Sequence, residues 1–142
     1  MSHDPTNIKP CEWRARFDAL IADRMGQPFA WGTQDCCLFA ADCVVISGGA
    51  DPFAAQRGTY SDAAGALRAL VEIGGIECAG ARFGAPIRPL MALTGDVGLV
   101  PCGEREALAI CAGSVWLAPA ATGLAALPLE SARMAWRVAC QL

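Results

Sequence analysis

Histidine and lysine occur once each, as His3 and Lys9. A thiol or hydroxyl nucleophile needs a base within roughly 2.6–3.2 Å. The single imidazole lies seven residues ahead of the first predicted helix, so the sheet carries none. Positive charge is also short. Eleven basic residues stand against 14 acidic ones, the formal net charge is −3 and the pI is about 5.0. That balance argues against a protein that grips nucleic acid by neutralising phosphates. No apolar run reaches about 18 residues, so no membrane anchor is expected. The first twenty residues lack a basic stretch followed by an apolar one. No secretory signal is therefore expected, and synthesis in the cytoplasm is the default expectation.

No CxxC pair occurs among the eight cysteines at 11, 36, 37, 43, 78, 102, 111 and 140. Neither a zinc knuckle nor a ferredoxin run fits these spacings. Most of the thiols are read as small buried hydrophobes, with no cofactor and no metal. A cysteine-ligated metal or iron–sulfur module stays open as a minor alternative.

What is present is apolar. The 142 residues are 54% hydrophobic and 18% charged, against a usual charged share of about 25%. The length suits one domain over 1–142, with 1–9 as a flexible tail, and about 68–70% of the unfolded surface can be buried. So little polar surface points to burial against partners.

Hydrophobic spacing predicts a helix over Pro10–Met25, with Arg14, Arg16 and Arg24 on a solvated face. A nearly all-apolar helix follows, starting near Thr33 or Asp35 and running to Ile46. Asp51–Tyr60 reads as a loop, in which Arg57, Asp51 and Tyr60 are candidates for a polar network. A third helix over Asp62–Val71 takes Ser61 as its cap and ends at Gly74-Gly75. Beyond it, Gly84, Pro86 and Pro89 break any helix. Short apolar runs at Asp96–Val100, Ala107–Ala112, Ser114–Ala118, Leu124–Pro128 and Ala135–Ala139 read as antiparallel strands. Helices before strands give the class α+β.

The segment with chemical content is Pro28–Cys43, PFAWGTQDCCLFAADC. Cys36 opens a buried helix after a Gly-containing loop. Unpaired N–H groups and the helix dipole there favour thiolate over thiol. Asp35 can cap the helix, and its charge opposes that effect. Two cysteines filling space on a buried helix are the alternative.

This segment resembles the active-site helix of NlpC-type cell-wall peptidases, a papain-like cysteine peptidase family. Their aromatic–Trp-Gly-Gly block followed by Asp-Cys-Ser-Gly is matched here by Phe29, Trp31-Gly32 and Asp35-Cys36, while Cys37-Leu38 departs from the family's Ser-Gly. The resemblance makes Cys36 the vestigial nucleophile and Trp31, Asp35 and Asp96 candidates for a substrate groove. The family's Gly-Asp strand is matched by Gly95–Val100. Its His-Val-Gly-Ile strand is matched by Ala107–Ile110, which sets Ala107 at the catalytic histidine position. Small proteins of phage and gene-transfer-agent tails look similar over Asp35–Leu70 and over the closing Ala135–Val138.

The resemblance implies a papain-like fold, with N-terminal helices packed on a C-terminal antiparallel sheet. It implies a catalytically inactive structural part of a tail tip or baseplate. Its partners would be other tail proteins, such as a hub or a distal tail subunit, and its location the virion tail. A cysteine peptidase or amidase acting on peptidoglycan through Cys36 is the enzymatic alternative.

Overall fold

The computed structural model describes residues 10–138. His3, Lys9, Cys140 and the expected 1–9 tail lie outside them. Helix α1 spans Pro10–Met25, as its spacing predicts, and stacks Trp13 on Phe17 with ring centroids 5.2 Å apart. Helix α2 spans Cys36–Val45 and buries Leu38, Phe39, Ala40 and Ala41 almost completely. Each large apolar side chain buried this way contributes about 1.5–3 kcal/mol. Helix α3 spans Ala63–Ile73. Its cap is Asp62, not Ser61: the Asp62 carboxylate accepts the Gly65 N–H at 2.7 Å. A carboxylate at the N-cap satisfies an otherwise orphaned donor.

A fourth helix, α4, spans Ile76–Ala81 and corrects the expectation of three. Gly74 does end α3, in a left-handed conformation at φ +111°. Its neighbour Gly75 also has positive φ, and together they turn the chain sharply enough for a new helix to start at once. Two glycines read as a terminator are in fact a corner. Inside α4, a Cβ on Gly80 would meet the Trp136 ring at 2.3 Å, so the helix lies directly on the sheet.

The sheet has six strands: β1 Gly84–Ile87, β2 Val97–Cys102, β3 Arg105–Cys111, β4 Val115–Ala120, β5 Gly123–Pro128 and β6 Met134–Val138. Their order is β1-β6-β2-β3-β4-β5, with every pairing antiparallel. The five expected strands are present with shifted ends; Ala139 lies outside the described residues. Strand β1, absent from the five expected strands, runs through the helix breakers Gly84 and Pro86. It pairs only with β6, at the sheet edge, where a missing proline N–H is tolerated.

Side chains alternate between the two faces of the sheet. One face carries Val97, Leu99, Leu108 and Ile110 against α2 and Phe17. The other carries Val100, Ala109, Cys111 and Trp116 and is closed by the sheet's own turns, including Ala92 and Leu129. The protein is thus α+β. Among the described residues no helix is long and apolar enough to cross a membrane.

Candidate functional site

The site grows from the loop before α2. Phe29 donates its N–H to the carbonyl of Ala120 at 2.8 Å, which ties the loop to the end of β4. Gly32 has φ +84°, and a Cβ there would fall 2.4 Å from the Tyr60 carbonyl oxygen, so this position requires glycine. The bend lets Asp35 collect three donors. Its Oδ1 accepts the Leu38 N–H at 3.0 Å, and its Oδ2 accepts the Gly32 N–H at 2.9 Å and the Tyr60 hydroxyl at 2.6 Å. Asp35 is therefore the helix cap and also the clamp that holds the loop and Tyr60 together. Burial, then the hydrogen bond to Asp35, pushes the Tyr60 hydroxyl well above its ordinary pKa.

Cys36 is the first residue of α2, and its Sγ lies 4.0 Å from that of Cys37. The two thiols diverge. Cys36 is held below the ordinary thiol value, chiefly because the Cys37 thiol donates to it. The backbone N–H groups of Leu108 and Cys37 add to the effect, while burial and the charge of Asp35 oppose it. Cys37 is pushed well up by donating that hydrogen bond and by its own burial. Of the two thiols, Cys36 is the one that loses its proton more readily.

The Leu108 N–H points to the β4 side of its strand, where Cys36 meets it. Cys111 donates its N–H to the Asp96 carbonyl at 2.8 Å. Odd-numbered residues of β3 thus address β2, and even-numbered ones address β4. The β3–β4 ladder pairs Ile110 with Leu117 and Cys111 with Trp116 and goes no further. Two residues further along each strand the same register would set Leu108 beside Pro119, whose missing N–H would leave the Leu108 carbonyl without a donor. Beyond those two pairs, the Leu108 N–H meets Cys36 at the start of α2.

Above the thiols opens a cleft of about 440 Å³, lined by Trp31, Asp35, Cys36, Cys37 and Tyr60, by one side of α3, and by Arg105 and Glu106. Its walls are mainly apolar: Trp31, Ala63, Ala66, Leu67, Leu70 and Ile76. Trp31 sits at the rim, with its ring edge-on to Phe29 at 4.6 Å. The structure brings Trp31, Asp35 and Cys36 to one cleft. The α3 wall, Tyr60 and Glu106 were missed as site residues, since only the folded chain brings them beside the thiol.

Asp96 is not part of this cleft. It is fully buried at the start of β2, and its carboxylate accepts the N–H groups of Leu93 at 2.8 Å and Val138 at 3.0 Å, and Arg137 at 3.0 Å. It fastens the end of β6 and the loop before β2. Ala107 also departs from the expectation. It is an odd-numbered residue of β3 and shares the face of Ala109 and Cys111, away from α2. On the α2 face the residues are Leu108 and Glu106. Glu106 is bound to Arg133 through two contacts of 2.8 and 2.9 Å, and that guanidinium holds its carboxyl below the ordinary range. A carboxylate so engaged is a poor proton acceptor for a thiol.

Two further expectations are revised. Arg24 is not on a solvated face: it is largely buried and reaches Asp42 at 2.8 Å and the Gln34 side chain at 2.6 Å. Arg57 does pair with Asp51, and also with Asp42 at 2.6 Å, but Tyr60 belongs to Asp35 instead. Among the described residues no three His, Cys, Asp or Glu side chains are grouped to hold a metal ion.

The family model described as a domain of unknown function (DUF6950) matches residues 9–138. The chain belongs to that family. The match runs through the cleft, both thiols and all six strands, so the site lies within the family's own domain. Among curated proteins no match is found.

Proposed function

We propose that this chain is a papain-like, NlpC-like domain without hydrolytic power, serving as an adaptor in the tail tip or baseplate of a phage or gene-transfer agent. The observation that carries the non-hydrolytic part is the Cys36 environment. The thiol sits where a nucleophile would, yet the sheet positions on its face are Leu108 and an ion-paired Glu106. The chain's one histidine, at position 3, lies outside the described residues.

The adaptor part is supported by the likeness to tail proteins over Asp35–Leu70 and by uncovered apolar side chains. Leu67 and Val71 project from α3, and Leu90, Met91 and Leu93 from the turn after β1, each more than half exposed. Such patches mark contacts. Hub or distal tail subunits would cover them, across about 1,000 Å² or more in total for a stable contact. The protein would then reside in the virion tail. The test is genetic: Cys36→Ala leaves particles that assemble and infect, whereas deleting the gene stops tail completion. Particles that contain Cys36→Ala yet fail to infect would overturn this reading.

A peptidoglycan peptidase or amidase is the second reading, and the lowering of the Cys36 thiol below its ordinary value favours it. Release of soluble peptide from purified peptidoglycan by the wild type, absent in Cys36→Ala, would establish it.

A further inference from the structure

We propose that Cys36 is a stoichiometric acyl acceptor, taking a medium-length acyl chain from a thioester donor and burying it in the cleft between α2 and α3. The inference deepens the non-hydrolytic reading above and rests on it.

Two independent features converge. The first is the thiol itself, at the floor of the cleft and facing the Leu108 N–H. Thiolate is the form that attacks an acyl carbon. The second is the cleft. Its volume of about 440 Å³ falls within the range of small-molecule sites. Its walls offer a long chain methyl and methylene surface from Ala66, Leu67, Leu70 and Ile76, and few polar groups. A peptide would leave its backbone donors and acceptors unpaired against such walls, and an aliphatic chain would not.

The step balances without any other reactant. The Cys36 thiolate attacks the thioester carbonyl, a new C–Sγ bond forms, and the donor's C–S bond breaks. The departing thiolate takes up the proton that Cys36 released. Exchange of one thioester for another is nearly neutral in free energy, so burial of the chain sets the position of equilibrium. Each methylene removed from water favours the product by about fourfold. Release of the acyl group would need a base to activate water, and Glu106 is held by Arg133. The adduct therefore persists.

The test uses the full chain with the acetyl and octanoyl thioesters of N-acetylcysteamine, followed by intact mass and peptide mapping. Cys11, Cys78 and Cys102 are exposed and serve as internal controls. The expected result is one stable acyl group on Cys36, favoured for octanoyl over acetyl by at least about tenfold at equilibrium, with no such preference at the control thiols. Leu67→Glu, at an exposed cleft position on α3, should remove the preference while circular dichroism stays unchanged. Equal labelling of all exposed thiols, or no chain-length preference at Cys36, overturns the proposal. So does a preference that survives Leu67→Glu. Steady hydrolysis of the thioester by the wild type would overturn the non-hydrolytic reading as well, and so distinguishes the two failures.

Discussion

Cys36 meets β3 through the backbone N–H of Leu108, while the side chain of Ala107, one residue away, points to the opposite face of the sheet. The thiol thus lies against the strand that the resemblance singled out, but one position out of register with the expected histidine site. A one-residue step on a strand exchanges the two faces completely.

The first prediction follows from that register. Glu106→His places an imidazole on the face of Cys36, and the rate of alkylation by iodoacetamide at pH 7 should rise. Ala107→His should leave that rate unchanged. It should also lower stability by about 1–3 kcal/mol, because Ala107 is buried and the larger ring overpacks its side of the sheet. Rates from stopped-time alkylation and midpoints from urea unfolding check both. An activating Ala107→His would contradict the face assignment.

The pH profile of the Cys36 thiol should respond to its neighbours in opposite directions. Cys37 lowers its pKa by donating a hydrogen bond, and the charge of Asp35 raises it. Cys37→Ala should therefore move the alkylation profile to higher pH. Asp35→Asn should move it to lower pH, since the side chain keeps an oxygen for the Leu38 N–H while losing its charge. Asp35→Ala removes the cap and should cost about 1–2 kcal/mol or more in urea unfolding.

Stability should fall as pH rises above about 9. Burial pushes Cys43 far above the ordinary thiol value, and Cys37 and Cys111 are raised too. Above the unfolded thiol pKa the unfolded chain releases protons that the folded chain retains. The contribution is complete below that pH and is lost above it, by about 1.4 kcal/mol per pH unit for each such thiol. Under reducing conditions, Cys43→Ala should flatten the decline between pH 9 and 10 in urea titrations. An unchanged slope would mean that Cys43 titrates alike in both states.

Asp96→Ala should separate structure from site. The substitution leaves the N–H groups of Leu93 and Val138 and the Arg137 side chain without their shared acceptor. A loss of about 3 kcal/mol or more is expected. The alkylation rate of Cys36 in the protein that remains folded should match the wild type. A changed rate with unchanged stability would assign Asp96 to the cleft after all.

Local signals in the sequence determined α1, α2, the Asp35 cap, the cysteine at the helix start and the antiparallel character of the second half. Each depends on neighbours a few residues apart, through helical period, capping side chain or turn residue. The corner at Gly74-Gly75 and the edge strand through Pro86 were illegible, because their breakers are neutralised only by what lies beside them: α4 resting on Trp136, and a sheet edge with no partner to miss an N–H. The Cys36 site was half legible. Its thiol and cap are contiguous in the chain. Its donor, its walls and its orientation come from β3, α3 and Tyr60. They meet beyond the β3–β4 pairs, where the Leu108 N–H faces Cys36 at the start of α2. Which face Ala107 presents is a property of strand register, and register is settled by the packing of the whole sheet against α2.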